Sequence, residues 1–231
     1  GVVAELLTAS PDGDGVDPLA ATLPRPTWEA LGLELPATPE GASLAVGTGA
    51  LPEAWTLPAD DPSAFSLTFN FPRPLGLYGG AVGDVRARLD VGPGGLADAT
   101  GSVEVLARSV TLGDPALDGW VHGPVVLQAD EHPRPRFELT ALQPVGGELA
   151  WGVPALFAAD GVFHMAGRTA PVGVRAQAEP WLDDAGRIRL RVTGAFEVPL
   201  VAVWEIDVPV GEPPANETLV FDFVFDLTAA G

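Results

Sequence analysis

Leu219-Val220-Phe221-Asp222-Phe223-Val224-Phe225-Asp226-Leu227 alternates without a break: Leu219, Phe221, Phe223, Phe225 and Leu227 fall on one side, Asp222 and Asp226 on the other. Successive side chains of a strand point to opposite faces, so this run describes a strand with one buried face. The same period recurs upstream. Ser63 to Phe71 sets Phe65, Leu67, Phe69 and Phe71 against Ser66, Thr68 and Asn70. Val85, Ala87, Leu89 and Val91 alternate with Arg86, Arg88 and Asp90, and Ile188, Leu190 and Val192 with Arg187, Arg189 and Arg191. Shorter runs stand at Val103 and Val105 and at Val172, Val174 and Ala176, and Val201 to Val208 reads as one more strand. Asp183-Asp184-Ala185-Gly186 is a turn cluster of the kind that joins antiparallel neighbours. Roughly eight strands at such spacing give a closed barrel or a sandwich. Helical pattern is too scarce for a parallel α/β sheet.

Composition agrees with that class. At 231 residues the chain lies within the range that a β-barrel fills as one unit. Apolar residues at 47% against charged residues at 19% exclude disorder, and 28 glycines with 24 prolines punctuate a turn-rich β protein. The net charge of −19 comes from 31 acids against 12 bases, every base being arginine. A nucleic acid needs a basic footprint and an anionic membrane surface would repel this chain, so neither is expected as a partner. The absence of cysteine removes disulfides, thiolate nucleophiles and zinc–thiolate sites together. No apolar run approaches the roughly 18 residues of a transmembrane helix, and a start at Gly1 fits a processed, exported chain.

Residues 1–52 read as a proline- and glycine-rich acidic arm, with seven acids and one base. Within it Thr27 caps a short helix through Trp28, Ala30, Leu31 and Leu33. Catalysis would need a nucleophile, a base and an orienting group, or metal ligands at workable spacing. The histidines are His122, His132 and His164, and no two share a helix-face or strand-face spacing, so no metal site and no catalytic residue is expected. Asp60-Asp61 and Asp183-Asp184 sit in proline- or glycine-flanked stretches and read as turn residues. The arginine rows at 86 and 88 and at 187, 189 and 191 either line a rim for an anionic head group or form a solvated outer wall paired with acids such as Glu179 or Glu197. Alternation favours the wall.

The order of motifs resembles the YceI-like family of lipocalin-like barrels. Trp55-Thr56-Leu57-Pro58 leads to Ser63-Ala64-Phe65-Ser66-Leu67, and Ser109-Val110-Thr111-Leu112-Gly113 matches a strand-ending motif. Leu117-Asp118 stands for an arginine–aspartate pair, and His132-Pro133 precedes Arg136-Phe137-Glu138-Leu139. Met165-Ala166-Gly167-Arg168-Thr169-Ala170-Pro171 is similar to a segment with histidine before the glycine. The likeness runs from about Trp55 to Leu227, with two departures: leucine replaces the arginine at 117 and alanine the histidine at 166. The resemblance implies an antiparallel lipocalin-like barrel of residues 53–231 behind the arm. It also implies non-catalytic binding, sequestration or transport of a hydrophobic, isoprenoid-like lipid in the periplasm or cell envelope, without a cofactor.

Phe65, Leu67, Phe69, Phe71, Phe137, Phe221, Phe223 and Phe225 are the expected ligand-facing residues, with Arg168 as the expected rim position. An eight-stranded barrel interior is either filled by side chains or holds one ligand. The alternative reading is therefore a filled barrel serving an envelope assembly through its arm.

Every strand signal begins at Trp55, which generates the first prediction: a chain lacking residues 1–52 folds and retains its ligand. Val2-Val3, Leu6-Leu7, Trp28, Leu31 and Leu33 weigh against it, since burying such side chains stabilises by roughly 1.5–3 kcal/mol each. Thermal unfolding and lipid retention of the shortened and full chains side by side provide the check. Aggregation of the shortened chain would make the arm part of the core.

Overall fold

The computed structural model describes residues 50–70, 79–92, 95–146, 151, 154–199 and 218–230. The acidic arm up to residue 49, the helix after Thr27, Phe71 and the strand at 201–208 lie outside the described residues. Eleven strands follow in chain order: β1 (Ala54–Thr56), β2 (Phe65–Asn70), β3 (Gly79–Val82), β4 (Val85–Gly92), β5 (Gly95–Val105), β6 (Val110–Thr111), β7 (Arg136–Gly146), β8 (Ala155–Met165), β9 (Arg168–Leu182), β10 (Ile188–Pro199) and β11 (Thr218–Ala229). A helix, α1 (Pro115–His122), stands between β6 and β7.

Eight strands close a ring in the order β1-β4-β5-β7-β8-β9-β10-β11, with β11 returning to β1. Every pairing is antiparallel, as expected where consecutive strands are joined by tight turns. The remaining three, β2, β3 and β6, extend from the same edge of β11 that β1 uses. β11 therefore divides that edge: Val220–Phe225 pair with β2, while Thr228 and Ala229 pair with β1. Between β1 and β2 the chain leaves the sheet in a 3-10 turn at Pro62–Ala64, where the Asp61 carboxylate accepts from the Ser63 amide and hydroxyl. That turn is why the strand expected from Ser63 starts at Phe65.

The alternation read from the sequence sorts the two faces. Leu67, Phe69, Phe221, Phe223 and Phe225 are buried inside, and Phe65 is half-buried on the same face, opposite Phe225. The arginine rows form an outer wall. Arg191 grips Asp226 on β11 with both Nε and a terminal nitrogen, at 2.7 and 2.8 Å, and lies over the Trp181 ring. At the β9–β10 turn, burial pushes the Asp183 carboxyl up, but the Arg187 amide and the guanidinium groups of Arg189 and Arg187 outweigh it and hold the carboxyl low. Arg88 pairs with Asp90. The partners expected were Glu179 and Glu197. Glu179 does face Arg191 across the β9–β10 pair and adds to its attraction, but Glu197 stands opposite Val220, too far along the strand to serve.

Inside, rings lie on glycines. Phe223 is paired with Gly194, and a Cβ there would come within 2.5 Å of the ring and of the Arg175 carbonyl oxygen. Gly161 holds Phe137 in the same way, with the ring 2.2 Å from where a Cβ would sit. A backbone oxygen cannot step aside. Gly194→Ala or Gly161→Ala is therefore expected to destabilise by the about 1–3 kcal/mol typical of overpacking. In a domain of this size that lowers the melting temperature by roughly 2–4 °C per kcal/mol. Gly119→Ala on α1, where nothing lies within 4 Å, should instead stabilise, by about 0.5–1 kcal/mol. Thermal melts of the three variants read both signs.

Candidate functional site: a capped apolar lumen

The inner wall is mixed in size. Large rings crowd one side: Phe196 stacks on Phe221 at 4.5 Å between centroids, Phe163 leans on both, and Phe69 meets Phe221 at 6.0 Å. Ala87, Ala159, Ala176 and Ala178 face the same space from β4, β8 and β9, where leucines would fill it. A cavity of about 200 Å³ remains along the barrel, bounded almost wholly by carbon. A single water needs only about 10–15 Å³ of such space, so the cavity is far larger than one water site. Apolar walls offer water no partners, so the space favours a hydrocarbon.

One end is capped. Asp114 receives the Ala116 and Leu117 amides on its carboxylate and Pro115 takes the first helical position, which starts α1. After α1 the chain folds back on it, the Leu127, Gln128 and Ala129 amides donating to the Val121, Gly123 and His122 carbonyls. Val121, Val126 and Leu127 are thereby buried against the lumen. Asp118 latches the cap to β6, accepting the Leu112 amide at 2.6 Å and the Thr111 hydroxyl at 2.9 Å, and His122 Nε2 lies 2.8 Å from the Val110 carbonyl. The cap also rests on the β8–β9 turn, where the His132 ring packs on Gly167; its φ of +74° and the 2.8 Å left for a Cβ both demand glycine.

Of the residues expected at the ligand, Leu67, Phe69, Phe137, Phe221, Phe223 and Phe225 border this cavity. Phe65 lies on the inward face, half-buried opposite Phe225, but does not border the cavity. Arg168 does not border the cavity either; it is exposed at the first position of β9, held out by the turn at Ala166 and Gly167. The sequence reading missed Phe157, Phe163 and Phe196, which the alternation of β8 and β10 could have supplied, and missed the cap altogether. Its one signal was Asp114-Pro115, a capping residue followed by proline.

The histidines have separate settings: His122 on the β6 carbonyl, His132 on Gly167, and His164 on the outer face with Glu138 at 3.1 Å. Among the described residues no group of three or more histidine, aspartate or glutamate side chains could hold a metal.

A model of the YceI-like domain matches residues 60–206. BcnA of Burkholderia cenocepacia has a similar structure, with a TM-score of 0.53 at 18% identity over 74% of this chain and 99% of that one. A polyisoprenoid-binding domain from Saccharophagus degradans, implicated in plant cell wall breakdown, superposes with a TM-score of 0.55 at 12% identity over 78% of this chain and all of the other. The YCEI protein of Campylobacter jejuni gives 0.54 at 12% identity, over 66% of this chain and 85% of that one. At such identities these likenesses speak for the fold. No curated protein matches the sequence.

The latch is acid-sensitive. The Leu112 amide chiefly, and then the Thr111 hydroxyl and the nearby His122, hold the Asp118 carboxyl below the usual range against an opposing desolvation. A folded-state value below the unfolded one means that the latch is intact above the ordinary carboxylate range and fails as pH drops through the lowered value. Asp114 on the same helix and His122 are the other titrating groups beside it. The protection of the Leu112 amide, its exchange rate relative to the intrinsic rate at the same pH, should therefore fall in acid before that of β9 and β10, and Asp118→Asn should show the loss of protection at neutral pH.

Proposed function

Because the chain belongs to the YceI-like family, we propose that it holds a long apolar molecule, isoprenoid-like in kind, inside its lumen. It sequesters or carries that molecule in the periplasm or outside the cell and catalyses no reaction. The observation that carries this reading is the hollow, carbon-lined lumen of about 200 Å³ in a barrel capped at one end. A barrel serving only as a scaffold has no use for alanine at four inward positions beside a void, so the space speaks for a carrier over a filled interior. The polyisoprenoid-binding domain of Saccharophagus degradans, with the same fold, supplies the class of ligand. No helix among the described residues is long and apolar enough to cross a membrane.

Native mass spectrometry of protein purified from its source should show a lipid adduct with few polar atoms. Ala176→Trp places an indole in the empty space and should abolish the adduct while the fold survives, at a cost no greater than the about 1–3 kcal/mol of overpacking. Bare protein from the natural source, with the unmodified lumen, would defeat the proposal.

A further inference from the structure

We infer that the apolar ligand passes through the side of the barrel, at a seam between β5 and β7, rather than through the capped end; the inference rests on the reading of the lumen as a lipid site. Around the ring, β5 and β7 pair only at Gly101–Glu104 and Arg136–Leu139 among the described residues. Beyond Gly101 and Leu139 the pairing stops, and at that level each strand is irregular against its other neighbour. On β7 the register against β8 shifts by one residue between Leu139 and Ala141, leaving Thr140 as a bulge whose hydroxyl bonds back to the Asp160 carbonyl. On β5 the register against β4 slips between its pairs with Asp90 and Gly92. A bulged strand bends and drops out of its ladder, so two facing irregularities part a wall that pairing would seal.

Much of the exposure of inward side chains lies on the two seam strands, with Leu89 of the neighbouring β4 beside them. Along β8, from Ala170 to Pro180 of β9 and from Leu219 to Leu227 of β11, every inward residue is buried. At the capped end Val121, Val126 and Leu127 are 2%, 2% and 5% exposed, and at the other end Trp55 and Leu190 are fully buried. Leu96, Val103, Leu139 and Leu142, on the two seam strands, border the cavity and keep accessible surface. So do Val192 and Phe196 on β10, the strand that stands opposite β5 in a ring of eight. An opening between β5 and β7 faces those two residues directly. Leu96 and Leu142 are its jambs. The chemistry the two leucines present is that of a hydrocarbon passing edge-on, apolar on both sides; the charged residues that border the cavity, Arg88 and Arg136, stand at the level where β5 is still paired.

The absence of cysteine makes the test direct. Val192→Cys places one thiol on the wall facing the seam, and its reaction with an uncharged maleimide reports access to the empty lumen. Adding Leu142→Trp should slow that reaction roughly tenfold, equivalent to about 1.4 kcal/mol of barrier. Leu96→Trp is the second variant should the first fail to fold. Adding Asp118→Asn, which loosens the cap, should leave the rate as it is. Labelling that ignores both tryptophans, or that quickens when the cap is loosened, overturns the seam as the door. Equilibrium titration of the unaltered protein with a fluorescent long-chain polyene separates the two proposals. Failure to bind the polyene counts against the lipid reading, whereas a labelling rate blind to the tryptophans counts against the seam alone.

Discussion

Ala54, Trp55 and Thr56 bond to Asp90, Leu89 and Arg88 of β4 on one side, and Trp55 and Thr56 to Ala229 and Thr228 of β11 on the other. Without this double pairing the sheet would have two open edges and no lumen. Three residues suffice because the backbone bonds continue past them: the Leu57 amide to the Ala87 carbonyl, Val91 to Glu53 and Ala230 to Ala54. Trp55 anchors the closure and is fully buried, although its indole N–H finds no acceptor among the described residues. An unmet buried donor costs about 1–3 kcal/mol. Burying an aromatic side chain of roughly 150–250 Å², at about 25 cal/mol per Å², gains more than that, so the indole still closes the ring with a net gain.

Closure turns strand alternation into an inside and an outside, and each side then solves a different problem. Outside, the arginines meet aspartates across or near the ladder, and where the pair is partly shielded, as with Arg191 and Asp226 at 19% and 18% side-chain exposure, it contributes more than a solvated surface pair. For Asp222, on the same outer row of β11, burial raises the carboxyl. Inside, glycines at 161 and 194 let rings lie flat on the wall. A ring pressed to the wall occupies less of the lumen than one standing off a Cβ, so the glycines and the inward alanines act together to keep the space open.

The all-β class, the inward phenylalanines of β2 and β11 and the β9–β10 hairpin were legible, because each depends on period two or on turn chemistry within a few residues. The outward arginines followed from the same arithmetic. What stayed hidden depends on pairing over long separations. Three residues of β1 carry no period, and nothing local says that they bond to strands more than thirty and about 170 residues away. The cap was hidden for another reason: Val121, Val126 and Leu127 follow no period, and their burial comes from a chain reversal held by backbone bonds. The bulge at Thr140 likewise changes which side chains face inward, from Phe137 and Leu139 to Leu142, and strict alternation would have put Leu142 outside.

An empty lumen has an energetic consequence that bears on what the protein does. Cavities in protein cores cost about 24 cal/mol per Å³. For a sealed void of about 200 Å³ the figure would be about 5 kcal/mol, an upper bound for a lumen whose wall residues Leu96, Leu142 and Val192 keep accessible surface. Four inward alanines could be enlarged to recover part of that deficit, and the wall that would receive them is already in place. A ligand that fills the space recovers it instead, and it stabilises the folded state further with each increase of its concentration over its dissociation constant. Occupancy and stability are then one quantity. On the proposed reading the barrel is most stable when loaded, while the ladder of paired strands closes the ring through backbone bonds that do not depend on the lumen's contents.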